Sequence, residues 1–187
     1  MHFVIATAVL ALSGLFPVSG LAQDPTLNNC SPVEIGGLQL VQFPQERQDA
    51  LRKYRNTQAI GYNAPEYNTA VTVYIYDKKP IVELKREFLA SGSEVLASHA
   101  GAESPMSGPS KLALADKPTD GFLGVFLWSE GETDFGSFLW VGELSGKYVK
   151  IRTTYIRPEL DDQTGAAMSY AMMTMRTVAN QVCVPKF

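Results

Sequence analysis

Few side chains in this 187-residue sequence are of the kind that perform acid–base chemistry. Histidine is the usual general base near neutral pH, and the sequence holds only His2 and His99. His99 comes at the end of a predicted helix, where an imidazole commonly interacts with the helix C-terminus. We therefore interpret His99 as a capping or ligand-binding residue and not as a catalytic base.

An acidic group occurs where a tight turn is predicted. Glu130, Glu132 and Asp134 alternate around Gly131, and oxygen ligands at alternate positions around a glycine are typical of calcium loops. The segment is short, however, and no bidentate glutamate follows it, so a charged hairpin tip is the simpler interpretation. Calcium is the weaker alternative for these three acids, and no other metal site is expected.

Other signatures of catalysis or cofactor binding are missing from the sequence. The nearest approach to a nucleophile elbow is residues 142–146, which lack the G-x-S-x-G spacing. No glycine-rich strand-to-helix turn is present to bind nucleotide phosphates. We expect no cofactor and, on balance, no enzymatic activity.

One predicted strand places basic side chains in a row. Because side chains in a strand alternate between faces, Tyr148, Lys150, Arg152 and Thr154 share one side. This ladder can hold an anionic ligand or an acidic partner surface, and it can equally pair with acids on a neighbouring element. We take Lys150, Arg152 and Tyr148, together with His99, as the candidate binding residues.

The N-terminus has the features of an export signal. Residues 3–16 are apolar but too few to span a membrane, and small residues precede a polar Gln23. Cleavage after Ala22 is therefore predicted, which makes residues 1–22 a signal peptide and residues 23–187 one domain in the periplasm or outside the cell. No second apolar segment of spanning length follows, so no stable membrane insertion is expected after cleavage.

Two cysteines, Cys30 and Cys183, lie near the ends of the predicted mature chain. Because exported proteins form disulfides, we predict a bond that ties the N-terminal segment to the last helix. In the chain-entropy model a loop of this length is worth on the order of 4–5 kcal/mol. Redox catalysis is not indicated, because catalytic thiol pairs lie close together as C-x-x-C.

The residue pattern predicts an α+β fold around a central sheet. Residues 121–128 and 135–141 are apolar on both alternating faces, whereas residues 148–156 alternate between apolar and basic side chains. The short turns between them require antiparallel pairing. A further strand is predicted at residues 69–76, and an amphipathic helix flanks the three-strand region on either side. We predict a mostly antiparallel sheet of about five to seven strands packed between two main helices.

Two segments each leave two interpretations open. Composition favours a helix for residues 44–56, whereas residues 51–55 could form an exposed edge strand. Residues 99–121 are rich in Gly, Ser, Pro and Ala, and we expect a surface loop there around a short strand near residues 111–115. Such a loop is either a mobile binding element or an edge meander.

Three stretches of the chain resemble a known group of sequences. They are Ile60-Gly-Tyr-Asn63, Val71-Thr-Val-Tyr-Ile-Tyr-Asp77 and Tyr148-Val-Lys-Ile-Arg-Thr-Thr-Tyr155. In these, and in Phe43-Pro44, the chain resembles small exported proteobacterial proteins of unknown function. The resemblance implies a strand over residues 51–55 and supplies no catalytic residues. The layout is also similar to the α-β-α sandwich of PsbP-type proteins, which are assembly and binding subunits, at the level of the fold alone.

These observations lead to a first hypothesis of an exported, non-enzymatic binding or interaction module with an unknown protein partner in the cell envelope. The small, mixed net charge of −3 gives no reason to expect nucleic-acid binding. One alternative is a carboxylate-based hydrolase that uses Glu130, Glu132 or Glu143. The other is a carrier of small molecules or anions that uses Lys150 and Arg152.

Overall fold

The computed structural model describes residues 30–159 and 161–183, and the predicted signal peptide with its cleavage site lies outside them. The strands are β1 (Glu34–Ile35), β2 (Leu38–Val41), β3 (Gln58–Ala64), β4 (Thr69–Asp77), β5 (Glu103–Leu114), β6 (Lys117–Glu130), β7 (Thr133–Leu144) and β8 (Lys147–Arg157). The helices are α1 (Gln45–Lys53), α2 (Leu84–Ser98) and α3 (Asp161–Gln181), and a 3₁₀ turn covers Pro65–Tyr67.

The strands form one antiparallel sheet in the order β1-β2-β3-β4-β8-β7-β6-β5. Two meanders, β1 to β4 and β5 to β8, meet where β4 pairs with β8 from Thr69↔Tyr155 to Asp77↔Lys147. Tight turns set the register of the second meander. Ser145 and Gly146 both have positive φ, as the type I′ turn of a two-residue hairpin requires. The predicted α+β class and antiparallel pairing are confirmed.

The sheet has more strands than the five to seven predicted, because residues 99–121 form an edge meander, one of the two interpretations left open, and not a mobile binding loop. Most of this segment is the twelve-residue strand β5, which lies at the edge of the sheet beyond β6. Pro105 and Pro109 are compatible with that position, since an edge strand has one side on which no ladder donor is needed. The glycine- and proline-rich composition of this segment is therefore compatible with an edge strand as well as with a loop.

Residues 44–56 contain helix α1, so the strand over residues 51–55 that the resemblance implied is wrong. The helix begins after Pro44 and buries Leu51 against Phe43 and Ala59. It ends before Arg55 and Asn56, which both have positive φ and turn the chain into β3. The segment thus supplies a third helix beyond the two main helices that were predicted.

The helices cover opposite faces of the sheet, as the sandwich prediction required. Helix α3 packs its apolar stripe, which includes Ala171, Met175 and Val178, onto the larger core. That core contains the fully buried Trp140 and Tyr62. On the other face, α2 packs Phe88 and Val95 onto β6 and β7, while α1 packs over β3. Two separate apolar clusters therefore support two separate helices on this second face.

The predicted disulfide is confirmed: Cys30 is bonded to Cys183, with the two Cα atoms 5.5 Å apart. The bond joins the segment before β1 to the residues that follow α3. Because such bonds form and persist in oxidising compartments, it indicates a non-cytoplasmic protein. In residues 30–159 and 161–183, no helix combines the length and the apolar character needed to cross a membrane.

Candidate functional site

A cleft of about 360 Å³ opens on the second face of the sheet, between α1 and α2. It exists because the two helices rest on different apolar clusters and leave part of β4, β8 and β7 uncovered between them. Its floor is formed by Tyr74, Tyr76, Leu139, Lys150 and Arg152. The volume falls within the range of small-molecule sites in proteins, which are concave and mostly apolar with a few polar groups.

Lys150 extends from β8 across the floor of the cleft. Its ammonium lies 5.0 Å from the centroid of the Tyr74 ring and 6.0 Å from that of Tyr76, within the range of cation–π attraction. Its Nζ atom also lies 3.2 Å from a carboxylate oxygen of Glu94 on α2. This pair bridges the floor and one wall of the cleft.

Arg152 is the second cation on the floor, and it is more deeply placed than Lys150. Its Nε donates to the Ser137 hydroxyl at 3.1 Å, and its Nη2 donates to Nε2 of His99 at 3.1 Å. The guanidinium carbon lies 5.5 Å from the centroid of the Trp128 ring. Burial lowers the pKa of the Arg152 guanidinium from its ordinary value.

His99 is buried beneath the end of α2 and does not line the cleft. Its Nδ1 lies 2.8 Å from a Glu130 carboxylate oxygen, and its ring stacks on Trp128 with the centroids 4.1 Å apart. Because Nε2 accepts from Arg152, the imidazole proton is assigned to Nδ1, where it is donated to Glu130. Both ring nitrogens are thus occupied, which leaves His99 without a free lone pair to act as a base on a ligand.

One end of the cleft is fixed by Arg55, which follows α1. Its Nη1 lies 2.8 Å from a carboxylate oxygen of the buried Glu87 on α2, and its Nε and Nη2 both donate to the carbonyl oxygen of Asp77. The guanidinium also lies over the Tyr76 ring, 4.6 Å from its centroid. These contacts tie α1, β4 and α2 together and hold the two walls at a set separation.

Tyr148 lies on the same strand face as Lys150 and Arg152 but beyond the cleft. Its ring is fully buried, and its hydroxyl donates to the carbonyl oxygen of Val82. Burial, with a smaller contribution from Glu87, raises the pKa of Tyr148. The structure therefore brings three of the four candidate binding residues together, namely Lys150, Arg152 and His99, and places Tyr148 in a packing position.

The predicted acidic group does not converge on a common point. Glu130 turns back to accept hydrogen bonds from Trp128 Nε1 and His99, whereas Asp134 accepts one from the Ser129 hydroxyl. In the part of the chain that the structure describes, no three His, Cys, Asp or Glu side chains lie close enough together to hold a metal ion. The geometry gives no support to the calcium interpretation of Glu130, Glu132 and Asp134.

Two of the three carboxylates considered for hydrolysis, Glu130 and Glu143, are far apart. Glu130 pairs with Thr133 at one end of β7, while Glu143 lies at the other end, where it forms an ion pair with Lys78 at 2.6 Å. Ten residues of extended strand separate these ends by about 33 Å. Glu130 and Glu143 are too distant to act on one small substrate.

The sequence analysis did not single out the three residues that contact Lys150 in the cleft, which are Tyr74, Tyr76 and Glu94. The alternation in β4 placed both tyrosines on one face, but it did not reveal that this face lies beside the basic ladder of β8. The register of β4 and β8 puts Tyr74 opposite Lys150 and Tyr76 opposite Tyr148. That pairing joins residues more than 70 positions apart, so no local signal could have shown it.

The fold and the cleft define an α+β protein with a concave site of small-molecule size. No family model matches the sequence, and no curated protein matches it. A solved structure of a Mog1 variant is 11% identical, with 79% of this chain and 87% of that chain covered and a TM-score of 0.48.

Two further solved structures have similar scores. Protein PA94 of Pseudomonas aeruginosa, described as of unknown function, is 10% identical with a TM-score of 0.45, and 81% of this chain and 99% of that chain are covered. The Saccharomyces cerevisiae Ran-binding protein Mog1p is 11% identical with a TM-score of 0.44, and 78% and 94% are covered. At these identities and TM-scores we transfer no function and no residue from them.

Proposed function

We propose that this protein is an exported, non-enzymatic binding module and that the cleft between α1 and α2 is its ligand site. The cleft of about 360 Å³ is the observation that carries the proposal. It combines an apolar lining with a few convergent polar groups, as small-molecule sites do. The proposal includes export to the periplasm or the medium. It also includes the resemblance to small exported proteobacterial proteins.

The engagement of His99 favours binding over catalysis in the cleft. Both of its ring nitrogens are engaged, so this imidazole offers no free lone pair to a ligand, as a general base must. The acids of the cleft, Glu87 and Glu94, each face a cation. The charged groups of the cleft are therefore better suited to holding a ligand than to reacting with it.

A protein partner in the cell envelope stays a prediction. For docking such a partner, strand β5 is less suitable than the cleft. Its outer edge is open to another strand, but Pro105 and Pro109 remove backbone donors and Lys111 adds a charge. Proline and lysine on an edge strand discourage pairing with another chain. Recognition at the cleft does not meet this obstacle.

The proposal can be tested by identifying compounds that stay with the purified protein. Ala90 and Leu89 are adjacent, exposed residues of α2, but only Ala90 lines the cleft. We expect native protein and the Leu89→Trp variant to carry a compound detectable by mass spectrometry after solvent extraction. The Ala90→Trp variant, whose indole would fill the cleft, is expected to lose it.

Two negative results together would contradict the proposal. One is that no compound is enriched on the native protein. The other is that no compound from a broad metabolite panel raises the Tm of the native protein more than the Tm of Ala90→Trp. Circular dichroism of both tryptophan variants is the control for folding, and both positions are exposed, so the native fold is expected in each.

A further inference from the structure

The ion pair between Lys150 and Glu94 joins two residues with different freedom to move. The Lys150 side chain is 19% exposed and packs against Tyr74, whereas the Glu94 side chain is 61% exposed. Exposed ion pairs contribute little, because solvent screens the charges and two side chains lose freedom. The carboxylate of Glu94 can therefore leave Lys150 at small cost, while Lys150 stays in place on the floor.

The cleft keeps a surplus of positive charge even with its ion pairs formed. Among the described residues, neither Arg152 on the floor nor Arg47, which lines the cleft from α1, forms an ion pair with a carboxylate. The other acid of the cleft, Glu87, is already paired with Arg55. Arg152 is half-buried, and a guanidinium in such a position without a counter-charge favours an anion beside it.

The spacing of the two floor cations suits a single anionic group. Lys150 and Arg152 are two residues apart on one face of β8, which corresponds to about 6.6 Å along the strand. An oxyanion between them can accept charge-assisted hydrogen bonds from both side chains, and such bonds are about twice as strong as neutral ones. The neighbouring lining of Leu51, Val95 and Leu139 offers apolar contact to the rest of a ligand.

We propose that the cleft binds small amphipathic anions and that Glu94 occupies the anion position when the cleft is free. The carboxylate, sulfonate or phosphate group of the ligand lies at Lys150 and Arg152, and its apolar body lies against Leu51 and Val95. Binding displaces the Glu94 side chain toward solvent. This inference rests on the proposed function. It adds that the ligand is an anion and that the Glu94 carboxylate competes with it for Lys150 and Arg152.

Two fluorescent probes that differ in one charged group test the inference. 1-Anilinonaphthalene-8-sulfonate carries a sulfonate, and N-phenyl-1-naphthylamine has the same ring system without it. We expect saturable binding of the sulfonate probe to native, folded protein, about tenfold tighter than that of the neutral probe, which is the scale of a hydrogen bond to a charged group. Ala90→Trp is expected to abolish binding of both probes, and Leu89→Trp to preserve it.

If Glu94 competes with the ligand for Lys150, substitutions of Glu94 and of Lys150 change the affinity for the sulfonate probe in opposite directions. Glu94→Gln is expected to tighten binding of the sulfonate probe about two- to fivefold, because an exposed ion pair no longer has to be broken. Lys150→Gln is expected to weaken it about five- to tenfold. Both changes are expected to affect the neutral probe less than the sulfonate probe, because only the sulfonate interacts with the charge of Lys150.

The pair Lys78–Glu143 provides matched controls, since it is a surface Lys–Glu pair outside the cleft. Lys78→Gln and Glu143→Gln are expected to leave both affinities unchanged. Equal affinities for the two probes, no saturable binding of the sulfonate probe, or an unchanged affinity in Glu94→Gln would overturn the inference. If the neutral probe still binds and Ala90→Trp abolishes that binding, the cleft remains a ligand site and only its anion preference is wrong.

Discussion

At the scale of single residues, the cleft depends on buried polar side chains that the sheet and α2 enclose. Tyr76 on β4 is 5% exposed, and its hydroxyl lies beside Ser91 and Glu87 but makes no hydrogen bond of good geometry with any described residue. Arg55 covers its ring, and Glu87 lies nearby. Burial, followed by the Glu87 charge, raises the pKa of Tyr76 well above its ordinary value of 10.0.

This shift predicts a loss of stability at alkaline pH. Below pH 10 the Tyr76 phenol is protonated in both the folded and the unfolded chain, so it adds no pH dependence. Above pH 10 only the unfolded chain releases the proton, so the free energy of unfolding falls by about 1.4 kcal/mol per pH unit for this group. Tyr76→Phe is therefore expected to make the fall shallower by that amount, as measured by urea unfolding at pH values from 9 to 12.

The free energy of unfolding at pH 7, where the Tyr76 phenol is protonated, measures the effect of Tyr76→Phe on packing without the effect on ionisation. Because the Tyr76 hydroxyl makes no hydrogen bond of good geometry, replacing it with hydrogen is expected to change the free energy of unfolding by less than about 1 kcal/mol at pH 7. Other buried tyrosines with raised pKa values, including Tyr62 and Tyr155, keep part of the alkaline loss in the variant. An identical slope in Tyr76→Phe and the native protein would contradict the prediction.

At the scale of elements, glycines on the central strands β6 and β7 leave space for the indole ring of Trp140. Trp140 on β7 is fully buried on the face covered by α3, and its indole lies over Gly142 and, across the pair β6–β7, over Gly121. A Cβ atom at Gly142 would lie 2.0 Å from the Trp140 ring, and one at Gly121 would lie 2.5 Å from it. The two glycines are therefore required for packing, although neither has positive φ.

Gly142→Ala is accordingly expected to destabilise the protein by about 3 kcal/mol, at the upper end of the usual cost of overpacking. The matched control is Gly108→Ala on the edge strand β5, where no heavy atom lies within 4 Å of the added Cβ. The control is expected to change the free energy of unfolding by less than about 0.5 kcal/mol. Equilibrium urea unfolding measures both, and equal stability of the two variants would show that Trp140 can move away without cost.

At the scale of the whole molecule, the Cys30–Cys183 bond closes a loop of 153 residues. In the chain-entropy model a loop of this size stabilises the folded chain by about 5 kcal/mol. The bond ties the start of the domain to α3, the helix that covers the larger core. Reduction is therefore expected to weaken the whole domain and not one local element.

Removing this bond is expected to lower the Tm by about 10–20 °C. Differential scanning calorimetry with and without reductant measures the effect, and the Cys30→Ala/Cys183→Ala double variant is expected to melt low in both conditions. Mass spectra of the unfolded native protein should differ by the mass of two hydrogen atoms between the two conditions, because the reductant converts the disulfide to two thiols. Identical masses would mean that the thiols are not bonded, and the prediction would then be wrong.

Much of the fold could be predicted because it follows from local patterns. Period-two alternation identified β4 and β8, runs that are apolar on both faces identified β6 and β7, and the short turns between the last three strands required antiparallel pairing. Strand β5 was predicted only over a short stretch near residues 111–115, because its glycines and prolines are typical of loops, and only its place at the sheet edge allows them. Helix α1 stayed ambiguous because its short sequence is polar and buries a single residue, Leu51.

The sequence by itself determined the α+β class, the antiparallel order of the central hairpins and the pairing of Cys30 with Cys183. It also placed Lys150 and Arg152 on one strand face. Only the tertiary structure decided that α1 and α2 share one face of the sheet, that β4 brings Tyr74 beside Lys150, and that α2 presents Glu94 to the same ammonium. The reason is physical: strand alternation and tight turns are set by neighbours in the chain, whereas a cleft is the space left between elements that pack from distant parts of it.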